Sequence, residues 1–228
     1  GPARKKSDDL TQKHKNIAHS IQAMYEEAFF HLLNKLHKKY NLDCIGIAGG
    51  CGMNSVANGK ILLKTPFKKV YVQAAAGDAG GAIGAALMTW HNVGGREGKQ
   101  KIVSHDHCYW GPSFSNDYIK NLLNFHKDRI EKENCTIENF SNISKIVNIT
   151  ANEVSKGKVI GWFQGRMEWG PRALGNRSII CDPRRSDMKD ILNLKIKRRE
   201  SFRPFAPSIM REAVPYWFEQ NDDVPFMM

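Results

Sequence analysis

The chain has 228 residues, 41% of them hydrophobic and 25% charged, and its formal charge is +11. That length excludes a disulfide mini-protein and leaves room for one large domain or two small ones. No apolar run approaches the roughly 18 residues that a membrane-spanning helix needs, so no membrane partner is expected.

Polar residues follow the basic start at Gly1–Lys6, so no secretory leader is expected. Residues 1–15 read as a polar mobile arm or as the tail of a preceding segment. From Asn16 to Tyr40, apolar side chains recur at Ile17, Ile21, Met24, Ala28, Leu32 and Leu36, the spacing of one helix face. His31 and His37 on this helix read as packing or surface residues. Leu42–Ala48 predicts a short buried strand, followed by Gly49-Gly50-Cys51-Gly52 and a helix start at Asn54-Ser55. Lys69–Gln73 predicts a second strand that runs into a second glycine loop around Asp78. Ala82–Trp90 then predicts a small-residue helix packed against a sheet.

Residues 92–107 are glycine-rich and charged, the signature of a linker. Beyond it, Asn116–Phe125 and Ile143–Ser155 predict helices, the latter closed by Lys156-Gly157. Lys158–Phe163 and Ser178–Cys181 predict strands. Ser186–Ile196 predicts a helix with Ser186 as its cap and Asp187 in its first turn. The order of elements is that of an α/β protein.

The charge is concentrated. Nine of the twelve arginines lie between Arg166 and Arg211, and residues 156–211 hold fourteen basic and five acidic side chains. All eight histidines lie at or before His126. Chemistry in the last hundred residues therefore rests on guanidinium and ammonium groups, which hold anions and seldom move protons near pH 7. Two blocks carry the arginines. In Gly165–Ser178 they alternate with Gly and Pro, which suits a fixed loop folded around an anion. In Lys195–Ser208 they crowd closely enough that an anion is expected to offset their repulsion, unless Glu168, Asp182 and Glu200 serve as internal counterions.

The first glycine loop suits close approach of backbone N–H groups to a phosphate or nucleoside, or simply a tight turn. It matches neither the Walker A spacing nor GxGxxG. Asp78 in the second loop could hold a divalent metal or a ribose hydroxyl, or cap the next helix. The five cysteines (Cys44, Cys51, Cys108, Cys135 and Cys181) are odd in number with no CxxC pair, which argues against a disulfide framework and fits a reducing cytoplasm. His105-Asp106-His107-Cys108 is a second metal candidate, lying in the linker.

GGCGMNSVANGKI, AAAGDAGGAIGAAL, GWFQGRMEWGPRALGNRSIICDPR and NLKIKRRESFRPFAPS together resemble the ATP-dependent O-carbamoyltransferases that act on nodulation factors, cephalosporins and aminoglycoside antibiotics. The resemblance runs through essentially the whole chain. It implies a fold of two parts: the second half of an actin/Hsp70-like ATPase domain over residues 1–104, then a YrdC-like α/β domain over residues 105–228, incomplete at its end. It implies two steps: carbamoyl-adenylate formed from carbamoyl phosphate and ATP, then transfer to a hydroxyl of a small acceptor. By position, Gly49, Gly50 and Asn54 match the family's nucleotide loop, and Asp78 matches its metal ligand, for Mg or Fe. Arg166, Arg172, Asn176, Arg177, Ser178, Lys197, Arg199 and Arg203 match the block where phosphate-bearing substrates bind; Arg172, Arg177, Lys197 and Arg199 are the expected catalytic residues. Family chains are longer at both ends, so this sequence reads as an internal segment, and a homo-oligomer is open to it. Arg198 stands where the family usually has an aromatic. The alternatives are a basic nucleic-acid-binding module, disfavoured by the absence of a recognition motif, and a non-catalytic nucleotide-binding domain.

Overall fold

A 29-residue helix, α1 (Gln12–Tyr40), opens the fold and supplies much of the first core. The computed structural model describes residues 1–5, 8–94, 107–219 and 221–227. The chain divides into two compact units, Gly1–Val103 and Ser104–Met227. Helix α1 starts four residues earlier than the apolar stripe predicts and ends at Asn41, which takes the left-handed conformation at φ 50°. His31 is exposed, and the half-buried His37 meets the Phe67 ring edge-on at 5.1 Å.

After α1 come β1 (Cys44–Ile47), a 3-10 turn at Gly50–Met53, α2 (Ser55–Asn58), α3 (Ile61–Lys64), β2 (Lys69–Val72) and α4 (Gly80–Thr89). Strands β1 and β2 pair in parallel, Ile45 opposite Val70 and Ile47 opposite Val72. Phe30 and Leu33 of α1, with Ile61 and Phe67, form the buried core, and Ile45, Ile47 and Val70 pack on it. Burying each such side chain contributes about 2 kcal/mol. The strands are not buried on both faces as expected: Cys44, Gly46, Lys69 and Tyr71 are exposed. A two-stranded sheet covered on one side shows an alternating pattern. Helix α4 forms, but none of its residues is buried, so the expected close packing is corrected. The two-stranded sheet is too narrow to cover a further helix.

The second unit begins, among the described residues, with an extended segment whose backbone bonds to the later arginine loop. It continues through α5 (Asn116–Phe125), α6 (Lys127–Lys132), α7 (Ile143–Ser155), β3 (Ile160–Phe163) and β4 (Arg177–Ile180). Ser115 and Asn142 cap α5 and α7 through their side chains. Strands β3 and β4 are antiparallel, with Phe163 opposite Arg177. Strand β3 is half-buried on alternate residues, where the sequence predicts a buried strand. The expected helix over Ser186–Ile196 is also altered. A short α8 (Met188–Asp190), with Asp187 and not Ser186 at its N-cap position, passes into a wide π turn at Ile191–Ile196, and the Asp187 carboxylate bonds Arg185 rather than a helix N–H. Arg185 competes for that carboxylate with two hydrogen bonds at 2.7 and 2.9 Å. One more short helix, α9 (Val214–Trp217), lies near the end. The architecture is mixed α/β. Most of the linker segment, with His105 and Asp106, lies outside the described residues.

Candidate functional site

In the first unit, the two glycine loops follow the C-terminal ends of β1 and β2, side by side because the strands are parallel and adjacent. The Gly49 N–H donates to the Ala76 carbonyl at 2.6 Å, so the loops are joined by their backbones. Gly49 has φ 100° and ψ 166°, a region essentially restricted to glycine. A Cβ on Gly80 would stand 2.3 Å from the Ala75 carbonyl oxygen, the close approach that only glycine permits here. Gly49 and Gly50 are exposed, with open space where a side chain would project.

Asn54 is more committed than the sequence suggests. Its Oδ1 accepts from the Ala57 N–H at 3.1 Å and from Gln22 Nε2 at 3.3 Å, while its Nδ2 donates to Gln22 Oε1 at 2.9 Å. Gln22 also donates to Glu26, whose buried carboxylate takes two hydrogen bonds from Lys60 at 2.6 and 2.8 Å. The Lys60 bonds, with help from Gln22, hold the Glu26 carboxyl below the usual range. Sequence reading missed Gln22, Glu26 and Lys60; the signal was polar residues four apart on α1 beside an apolar stripe. The helix after this loop, α2, is a single turn, so it brings far less dipole than the sequence suggests.

Asp78 is exposed, and its side chain makes no hydrogen bond or ion pair among the described residues. It does not cap α4, whose cap is Ala79. No group of three His, Cys, Asp or Glu side chains among the described residues could hold a metal. A lone carboxylate fits Mg2+, which keeps several waters and takes phosphate oxygens, but does not by itself make an iron site.

In the second unit, the β3–β4 hairpin carries the first arginine block in its connection. The Gln164 N–H donates to the Asn176 carbonyl at 2.9 Å, extending the ladder. The segment at 108–112 bonds to the same connection: Gly111 N–H to the Met167 carbonyl, Met167 N–H to the Pro112 carbonyl, and Trp169 N–H to the Cys108 carbonyl. Arg166 donates Nε and Nη2 to the carbonyls of Gly111 and Trp110, each at 3.1 Å. Asn176 donates Nδ2 to the Arg166 carbonyl at 2.7 Å, and Ser178 Oγ accepts from the Gly175 N–H at 2.9 Å.

Glu168 lies beneath this loop. Burial pushes its carboxyl up, but backbone N–H groups, including those of Leu174 and Asn176, outweigh that and hold it below the usual range. Arg177 Nε stands 3.5 Å from Glu168 Oε2, and Arg177 Nη2 donates to the Gly170 and Arg172 carbonyls. Arg172 is different. Like Arg177 Nε, its Nε is buried without a hydrogen-bond partner among the described residues, but unlike Arg177 its guanidinium makes no other hydrogen bond or ion pair among them. A buried donor left unpaired costs about 1–3 kcal/mol, so a ligand oxygen would relieve it.

The second block is arranged by Asn193, which has no exposed area. Arg199 donates Nε to Asn193 Oδ1 at 2.7 Å and lies over the Phe205 ring at 4.7 Å. Arg203 pairs with Glu200 at 2.8 Å. Lys197 is exposed, without an ion pair among the described residues. The expectation of a tightly crowded cation cluster is corrected here: Lys195, Lys197, Arg198 and Arg203 are all exposed, where water screens their repulsion. Asp182, the third suggested counterion, binds Arg184 instead, and these bonds hold its carboxyl down at about 2. Sequence reading also missed Asn193; an amide in a stretch that reads as helix interior was the available signal.

The mixed α/β chain thus carries paired glycine loops in one unit and an arginine-bearing hairpin in the other. The family model described as Carbamoyltransferase N-terminus matches residues 3–87, and that described as Carbamoyltransferase C-terminus matches residues 151–228. The chain belongs to the carbamoyltransferase family. It is 43% identical over 228 residues to an uncharacterized protein of Synechocystis sp., covering 100% of this chain and 36% of that one. It is 38% identical to nodulation protein NolO of Bradyrhizobium diazoefficiens, over 98% of this chain and 40% of the relative. Over 80% of this chain it is 28% identical to the 3'-hydroxymethylcephem-O-carbamoyltransferase of Streptomyces clavuligerus, covering 31% of that enzyme. The chain thus spans about a third to two fifths of the length of these relatives. No helix among the described residues is long and apolar enough to cross a membrane.

Proposed function

We propose that this chain is the nucleotide- and carbamoyl-phosphate-handling part of a cytoplasmic O-carbamoyltransferase. In this reading the first unit is the second half of an actin/Hsp70-like ATPase domain, and the second is a YrdC-like domain. Water cleaves carbamoyl phosphate to carbamate and inorganic phosphate, and a carbamate oxygen then bonds the α-phosphorus of ATP as pyrophosphate leaves. The oxygen of an acceptor hydroxyl then bonds the carbamoyl carbon, AMP departs and the hydroxyl proton passes to solvent. The acceptor is a small hydroxylated molecule, in keeping with the cephem-carbamoylating relative.

The observation that carries the reading is Arg172, a guanidinium with a buried, unpaired Nε in a loop its neighbours hold firmly. Adenylation gathers negative charge, and fixed cations stabilise that charge where it develops. Arg166, Arg177, Asn176 and Ser178 shape the loop around it, while Lys197, Arg199 and Arg203 supply cations from the second block. In the first unit, Gly49 and Gly50 offer open backbone to a nucleotide, and Asn54 fixes their loop. A Mg2+ ion held by Asp78 and phosphate oxygens would neutralise phosphate charge there. The test is ATP–pyrophosphate exchange by the intact protein. Exchange that requires carbamoyl phosphate and disappears in Arg172→Ala is expected; exchange indifferent to either would refute the reading.

A further inference from the structure

Glu168 is the most deeply enclosed carboxylate in the arginine loop, with no exposed side-chain area. Its Oε1 accepts from the Leu174 N–H at 2.6 Å and the Asn176 N–H at 2.8 Å, the two residues that flank Gly175. Gly175 has φ 113°, a backbone conformation that favours glycine. The second oxygen faces Arg177 Nε at 3.5 Å, an ionic contact rather than a hydrogen bond. Arg177 in turn spends Nη2 on the carbonyls of Gly170 at 2.9 Å and Arg172 at 3.3 Å. Arg177 is thus turned onto the loop's own backbone, and one of its bonds lands on Arg172 itself. The Arg172 guanidinium itself has no hydrogen-bond or ion-pair partner among the described residues.

We propose that Glu168 is the positioning residue of this loop: with Arg177 it fixes the backbone of residues 170–177 so that Arg172 is presented to a phosphate-bearing ligand. The work divides between the two arginines, with Arg172 holding the anion and Arg177 holding Arg172. This rests on Arg172 being the anion-binding group, as proposed above.

The test is calorimetric titration of the intact protein with inorganic pyrophosphate, alongside its thermal melt. Glu168→Gln keeps an oxygen for the Leu174 and Asn176 N–H groups but sets an amide N–H2 against Arg177 and removes the charge. It is expected to stay folded and to bind pyrophosphate about tenfold more weakly. Arg172→Ala is expected to lose more, and the double variant to bind no more weakly than Arg172→Ala alone, because Glu168 acts through Arg172. A purely structural Glu168 would give additive losses instead. Binding within twofold of wild type in a folded Glu168→Gln, additive losses, or wild-type binding insensitive to Arg172 would each overturn the proposal. A protein that binds pyrophosphate through Arg172 and Glu168, yet shows no carbamoyl-phosphate-dependent exchange, would refute the activity and uphold the role of Glu168.

Discussion

Asn193 and Arg199 are joined by a 2.7 Å hydrogen bond from the guanidinium Nε to the amide oxygen, and the same amide donates its nitrogen to the carbonyls of Ser201 and Arg203. One wholly enclosed side chain thereby ties three points of the second basic block. Asn193→Ala would strand two carbonyls and a guanidinium donor. A loss of about 2 kcal/mol is expected, read as a fall in Tm of about 4–8 °C. Carbamoyl-phosphate-dependent exchange should fall with it, and an unchanged Tm would deny Asn193 this part.

Arg172 behaves in the opposite way. Its guanidinium makes no internal hydrogen bond among the described residues, so Arg172→Ala should leave the melt within about 1 kcal/mol of wild type. Exchange activity should nevertheless drop about a hundredfold or more. Arg172→Lys should recover little, because a point charge cannot reproduce a planar fork. Comparing melts with exchange rates of the purified variants checks this.

Gly49→Ala is expected to cost about 1–3 kcal/mol, because the backbone there sits at φ 100° although no atom crowds the new methyl. Gly80→Ala is expected to be harmful for another reason, the 2.3 Å approach of Ala75 O, which forces the backbone to move. Thermal unfolding of both variants distinguishes strain from collision: at Gly49, where ψ 166° lies outside the left-handed helical region that Asn tolerates, Asn should cost as much as Ala.

Glu153 and Asp182 are two of the contributors to acid stability in the second unit. Hydrogen bonds from Lys156 and Lys158 hold the Glu153 carboxyl at about 2, and those from Arg184 do the same for Asp182. Both values lie below the unfolded values near 4. The stabilisation is therefore complete above about pH 4 and is lost as pH falls toward 2. Melts between pH 5 and pH 2 should show a declining Tm, and Asp182→Asn should flatten that decline. An equal slope in wild type and variant would count against it.

Asp78→Asn should leave the fold intact, since the carboxylate makes no bond among the described residues. It should weaken ATP binding in Mg2+ and have little effect in EDTA. Titration calorimetry under both conditions decides whether this carboxylate meets a metal.

Much of this was legible before any coordinates. The apolar stripe announces α1, the glycine loops follow short strands, and the helices over 116–125 and 143–155 fall where their periodicity and caps place them. The failures share a cause. Composition predicts burial of β1 and β3, but burial depends on what covers a sheet, and each of these strands alternates between half-buried and exposed residues. The predicted helix over 186–196 broke because Arg185 captures Asp187 and Asn193 is drawn inward to the loop after it. For the site, residue type revealed the cations but not their engagement. Arg172 and Arg177 look alike in sequence, and only the carbonyls around Arg177 separate them.

The 2.6 Å bond between Gly49 and Ala76 has a mechanical meaning. It is a direct backbone tie between the segments that leave the two strand ends, with no side chain intervening. The bond therefore sets the spacing between the turn that opens at Gly49 and the one that leads from Ala76 to Asp78.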